Sequence, residues 1–159
     1  MKKIILLSGL FLLMGMTAFC QKQETNGTIF IKHPYIDVVI NANKDYVANN
    51  FTNTKNYFAD TATWWISGIK DFIPLADAVK MWKSDFVNFT EVNQVQFGYP
   101  DFLQYKKDNM MVVQSWWTWS GKSKKTGEML KIPMVMFDEF NKDGKISKEY
   151  IFGDFSKAE

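Results

Sequence analysis

The last third of the chain alternates between apolar and polar residues. The runs MMVVQSWWTWS (110–120), KIPMVMFDEF (131–140) and KISKEYIFGD (145–154) largely follow a period of two, and Asn141-Lys-Asp-Gly144 separates the last two. That period marks strands with one buried face, and Asp-Gly between two such runs marks a tight hairpin. Antiparallel strands are therefore expected over Met110–Ser120, Leu130–Phe140 and Lys145–Phe152, with the lysine-rich stretch 121–128 as a solvated loop. They bring large aromatics and a few acids onto one curved sheet. A sheet with an apolar face has to be covered by a second layer.

The covering layer is legible upstream. Pro34 suits a first helical turn, and Ile36, Val39 and Ile40 recur at helical spacing. Val47, Phe51, Thr54 and Phe58 fit a second amphipathic helix capped by Asp45. A third starts near Pro74 and carries Leu75, Ala78, Val79, Trp82 and Phe86 on one face. Between them, residues 61–66 are β-prone and end at Ser67-Gly68. From Glu91 the period returns to two, and residues 92–97 and 102–106 flank Gly98-Tyr-Pro-Asp101, a break in an edge hairpin. The expected fold class is α+β, a cone-shaped domain of about three N-terminal helices packed on a strongly curved antiparallel β-sheet. The domain spans residues 33–155, and the polar, briefly β-like stretch 21–32 is a flexible lead-in.

The first 20 residues have the pattern of an export signal: Lys2 and Lys3, an apolar run from Ile4 to Met16, and Ala18-Phe19-Cys20 as a cleavage site. The run is shorter than the roughly 20 residues a membrane span requires. A signal peptide over residues 1–20, cleaved before Gln21, is expected to give an exported periplasmic or extracellular protein without a stable membrane span. Lipid anchoring through Cys20 is the less favoured alternative, because Phe19 is bulky where lipoprotein signals take a small residue. All 19 basic residues are lysines; two lie in the signal, so the rest balance the 17 acids. Nucleic-acid and phosphate readers carry a basic surplus and use arginine's bidentate fork, so neither partner is expected. The one cysteine falls in the signal and the one histidine is His33. No disulfide, metal site or cofactor is expected. Aromatics, 16% of the chain, have to supply the core.

Two motifs carry a family resemblance. Phe58-Ala-Asp-Thr-Ala-Thr63, following two helices, resembles the F-A-D-D-A-T step of the SnoaL-like branch of the nuclear-transport-factor-2-like superfamily. Phe140-Asn-Lys-Asp-Gly-Lys-Ile146, running into Phe152-Gly-Asp154, resembles its closing hairpin. The resemblance covers about Pro34 to Asp154 and implies a helix-lined cone against a strongly bent sheet. Members include polyketide cyclases, ketosteroid isomerases, dehydratases and non-catalytic binding or dimerisation modules, so chemistry is left open. Ketosteroid isomerases use an aspartate base and an oxyanion hole containing a protonated aspartate. Carried over through the two motifs, those positions fall on Ile66 and Met136, neither of which moves a proton.

Strand alternation puts Met134, Met136 and Asp138 on one face. Asp138 is either a general acid or base with a raised pKa, or a solvated residue beside the hairpin; acids near turns favour the second. Trp117 and Trp119 share a face opposite Trp116, and of Trp64 and Trp65 one points inward; Trp65 is taken as the ligand-facing member. His33 titrates near neutrality but reads more simply as a helix-start residue. Tyr99 and Asp101 are weaker candidates for the cavity mouth. Glu139-x-Asn141-x-Asp143-Gly144 imitates half a calcium loop, yet Tyr150 stands where the closing glutamate belongs. The expected ligand-binding set is Trp65, Trp117, Trp119, Met134, Met136 and Asp138, with Asp138 and His33 as the catalytic candidates. Three functions compete: a cone binding a small apolar or aromatic molecule, an acid–base enzyme of the cyclase, isomerase or dehydratase kind, and a structural domain. A homodimer through the tryptophan-bearing sheet is expected.

Overall fold

The computed structural model describes residues 24–156. The expected signal peptide, its cleavage site and Cys20 lie outside the described residues. Among those residues no helix is long and apolar enough to cross a membrane.

Three helices lie against one eight-stranded sheet. Helix α1 spans Pro34–Val47, with Pro34 in its first turn and His33 as its N-cap, accepting a hydrogen bond at Nδ1 from the Tyr35 amide. The expected second helix is reduced to a single turn, α2 (Thr54–Tyr57), because the chain breaks after Val47. Asn49 takes a left-handed conformation with φ 52°, and the amides of Ala48, Asn49 and Asn50 close on the last carbonyls of α1. Asparagine tolerates that conformation at a helix end. Asp45 caps no helix; it sits inside α1 and accepts hydrogen bonds from Asn50, Asn53 and Tyr57, which hold its carboxylate below the usual range. Phe58 already belongs to a strand. Helix α3 runs Leu75–Asn88 as expected.

The strands are β1 (Gly27–Phe30), β2 (Phe58–Ile66), β3 (Ile73–Pro74), β4 (Phe89–Gln96), β5 (Asp101–Tyr105), β6 (Met111–Ser123), β7 (Met129–Phe140) and β8 (Ile146–Gly153). Their order is β1-β5-β6-β7-β8-β2-β3, with β4 also on β6. Four features differ from expectation. Residues 27–30 of the expected lead-in form a strand paired to β5. Strands β4 and β5 do not pair as a hairpin: both run antiparallel to β6, on its Trp117–Ser123 and Met111–Gln114 portions. They are one interrupted edge, broken where Gly98 turns with φ 74°. The sheet is not wholly antiparallel, since β2 runs parallel to β8. The lysine-rich loop is shorter than expected, because β6 continues to Ser123.

The β7–β8 hairpin closes as read, with Asn141 Oδ1 accepting from the amides of Asp143 and Lys145, and Gly144 at φ 74°. This is turn geometry, not a cation loop. Alternation holds along β6 and β7: Val113, Ser115, Trp117 and Trp119 are buried on the inner face, as are Ile132, Met134, Met136, Asp138 and Phe140. The outer face carries Trp65 and Phe137 against Phe152.

Candidate functional site

The inner face of the sheet and helices α1 and α3 enclose a cavity of about 340 Å³. Its floor comes from alternate positions of β6, β7, β8 and β2; its cover comes from one stripe of each long helix. Trp117, Trp119, Met134, Met136 and Asp138 all line it. The tryptophan choice on β2 is reversed: Trp64 lines the cavity, whereas Trp65 packs on Phe152 and donates from Nε1 to the Ile69 carbonyl at 3.0 Å. Ile66 joins the wall, so both positions matched to ketosteroid isomerase acids are apolar and face the cavity.

Asp138 is not the solvated turn residue that its place in the sequence favoured. It is 0% exposed, and directly across the β7–β8 ladder stands Glu149, also buried. Glu149 in turn is paired in register with Trp64 on β2. Residues opposite one another in a ladder share a face, so Trp64, Glu149 and Asp138 form one row across the cavity wall. Neither carboxylate oxygen of Asp138, nor Nε1 of Trp64, has a hydrogen-bond partner of ordinary length and angle. Two ionised carboxylates are acceptors only and cannot satisfy each other; a shared proton lets one donate to the other. Burial pushes Asp138 well above the usual carboxylate range, and the charge of Glu149 adds to the rise. Burial pushes Glu149 up to about 7, opposed by the donors on either side, protonated Asp138 and the Trp64 indole. The pair therefore holds a proton near neutral pH.

A second polar group lies under the helices. Tyr46 on α1 donates its hydroxyl hydrogen to Asp85 on α3 at 2.8 Å and accepts from Trp119 Nε1 at 2.7 Å. Burial raises Asp85 to about 6, with the Tyr46 hydroxyl opposing, and burial beside Asp85 raises Tyr46 above the ordinary phenol range. Asn43 donates to the Gln94 carbonyl, leaving its own buried Oδ1 unpartnered.

Sequence reasoning missed Glu149, Asp85, Tyr46 and Asn43. Asp85 had a signal, since it falls on the helical stripe of Ala78 and Trp82; an acid inside an apolar stripe points inward. Asn43 and Tyr46 continue the stripe of Ile36 and Val39 in the same way. His33 does not reach the cavity. Its ring stacks on Phe102 with centroids 3.6 Å apart, burial lowers its pKa, and it caps the start of α1. Tyr99 is 85% exposed, and neither it nor Asp101 lines the cavity. Among the described residues no cluster of potential metal ligands occurs.

No protein-family model and no curated protein matches the sequence. Solved structures do match the fold. IdmH, a candidate polyketide cyclase from Streptomyces antibioticus, superposes with a TM-score of 0.64 at 13% identity, covering 78% of this chain and 94% of its own. A SnoaL-like polyketide cyclase candidate from Shewanella putrefaciens gives 0.58 at 7% identity, covering 80% and 94%. A protein with a ketosteroid isomerase-like fold from Catenulispora acidiphila, in complex with trimethylamine, gives 0.53 at 14% identity, covering 72% and 83%. The chain has the cone fold of SnoaL-like and nuclear-transport-factor-2-like proteins, as the two motifs implied.

Proposed function

We propose that the cone takes up one small, apolar, ring-bearing molecule and holds its polar end against the Asp138–Glu149 pair. The observation that carries this reading is the cavity itself, about 340 Å³ with indole and thioether walls and a few convergent polar groups. Pockets of that make-up and size are the usual form of small-molecule sites. Methionines at 134 and 136 adapt to varied shapes, and the indoles of Trp64 and Trp117 offer flat contact surfaces. A purely structural domain has no use for such a hollow, since close packing stabilises a core and a void does not. Ile66 and Met136 remove the proton-handling arrangement of ketosteroid isomerases.

The Asp138–Glu149 pair favours a second reading, acid–base turnover of the bound molecule. Neighbouring carboxyls with one proton between them are an acid and a base in one place.

The test is ligand-induced stabilisation. A panel of two- and three-ring hydrocarbons and alcohols is expected to raise Tm. Ala42→Phe, which fills the cavity from α1, is expected to abolish the rise while leaving the free protein's own Tm near wild type. No rise with any member of the panel would remove the binding reading.

A further inference from the structure

The carboxyl groups in this cavity have no cationic counterpart. Asp85, Asp138 and Glu149 line it, and among the described residues no lysine or histidine does. Asp85 already accepts from Tyr46. Asp138 has no such donor: it is wholly buried, borders the cavity, and neither oxygen has a partner of ordinary length and angle, with another carboxyl, Glu149, standing opposite. Buried polar groups left without partners are few in native proteins, and each calls for a donor that arrives from elsewhere. The groups facing the pair from each side supply no cation. Trp64 flanks it on β2, Val113 follows it on β6, and α1 and α3 bring Tyr46 and Asp85 to the same cavity.

We propose that the polar end of the ligand is a protonated amine, seated against the Asp138–Glu149 carboxyl pair at the aromatic wall of the cavity. This deepens the binding reading above and rests on it. An ammonium group carries only donors, and an ionised carboxyl pair carries only acceptors. It also replaces the proton that the pair otherwise has to retain, so a charge enters the cavity already paired. Indole rings in the wall add the attraction of their faces for a cation. A ligand carboxylate or phosphate meets three acids and no base, and is excluded by repulsion. A neutral alcohol offers one donor where the ammonium offers up to three.

The experiment compares 2-(1-naphthyl)ethylamine with 2-(1-naphthyl)ethanol, identical in skeleton, by calorimetry on the purified protein. The amine is expected to bind about tenfold or more tighter, the factor that a hydrogen bond to a charged group supports. In the double variant Asp138→Asn, Glu149→Gln that preference is expected to vanish. The wild-type comparison stands alone if the variant folds poorly. Equal affinities, or tighter binding of the alcohol, overturn the amine and leave the hollow cone intact. Absence of binding by both compounds overturns the amine and the binding reading together.

Discussion

Asp138 and Glu149 sit buried opposite one another on neighbouring strands, and with no cation between them the pair keeps a proton near neutral pH. Carboxyl groups whose pKa is raised on folding have a definite effect on stability. Glu149 moves from 4.5 to about 7 and Asp85 from 3.8 to about 6, so between those limits the folded chain holds protons that the unfolded chain has lost. Their contribution is full below the unfolded values and disappears as pH rises through 6 and 7. Tm is therefore expected to fall by several degrees between about pH 5 and about pH 8, and to fall less in Asp138→Asn, Glu149→Gln. A Tm that rises over this interval would contradict the assigned environment. Asp45, shifted the other way, matters only below 3.8, outside the window. Only one member of the pair was legible in the sequence. Strict alternation from Ile146 points Lys148 inward and Glu149 outward. The ladder pairs Glu139 with Lys148 and Phe140 with Ile146, so Ser147 is bulged and parity reverses after it. A bulge has no reliable signature in a single sequence. Trp64 and Trp65 failed for a related reason: identical neighbours carry no phase.

Strand β6 shows how an element aims the residues it carries. It pairs with β7 from Met111 to Lys122 without interruption, so its inner residues stay on one face throughout. Close to its end, Gly121 leaves room for the Trp119 ring. A Cβ there would stand 2.8 Å from that ring and 3.1 Å from the Phe89 Cβ. Gly121→Ala is therefore expected to cost about 1–3 kcal/mol, as overpacking does. The urea midpoint should fall with little change in slope, and the Trp119–Tyr46–Asp85 chain should be displaced. Unchanged stability would show that the Trp119 ring is not held as described. Elements with an uninterrupted pattern were the readable ones, β7 and α3 among them. The second helix failed because Val47 and Phe51 keep helical spacing while Asn49 and Asn50 between them end the helix. Edge strands β4 and β5 failed because a broken edge and a hairpin share one local pattern; only the partner strand tells them apart.

Across the whole molecule, stability and site come from the same sheet face. The described residues include no cysteine, so burial of aromatic and aliphatic side chains has to hold the cone together. Two residues beyond Asp138 on β7, Phe140 stacks on Tyr35 with centroids 4.3 Å apart, and Tyr35 meets Phe102 edge-on, tying α1 to the sheet. The remaining inner face is left open as a cavity with three acids on its wall. The class of fold and the apolar wall were readable from period and composition. The acid partners were not, because cross-strand pairing joins Asp138 to a residue eleven positions away and a helix-to-helix hydrogen bond joins Tyr46 to one thirty-nine away.

A ligand that enters this cavity meets Met134 and Met136. Methyl-labelled methionine NMR reads it directly, because Met134 and Met136 line the cavity whereas Met110 and Met129 are exposed and do not. On titration with 2-(1-naphthyl)ethylamine, the methyl signals of Met134 and Met136 are expected to shift, with those of Met110 and Met129 unmoved. Shifts confined to Met110 and Met129, or no shift at saturating ligand, would contradict the account.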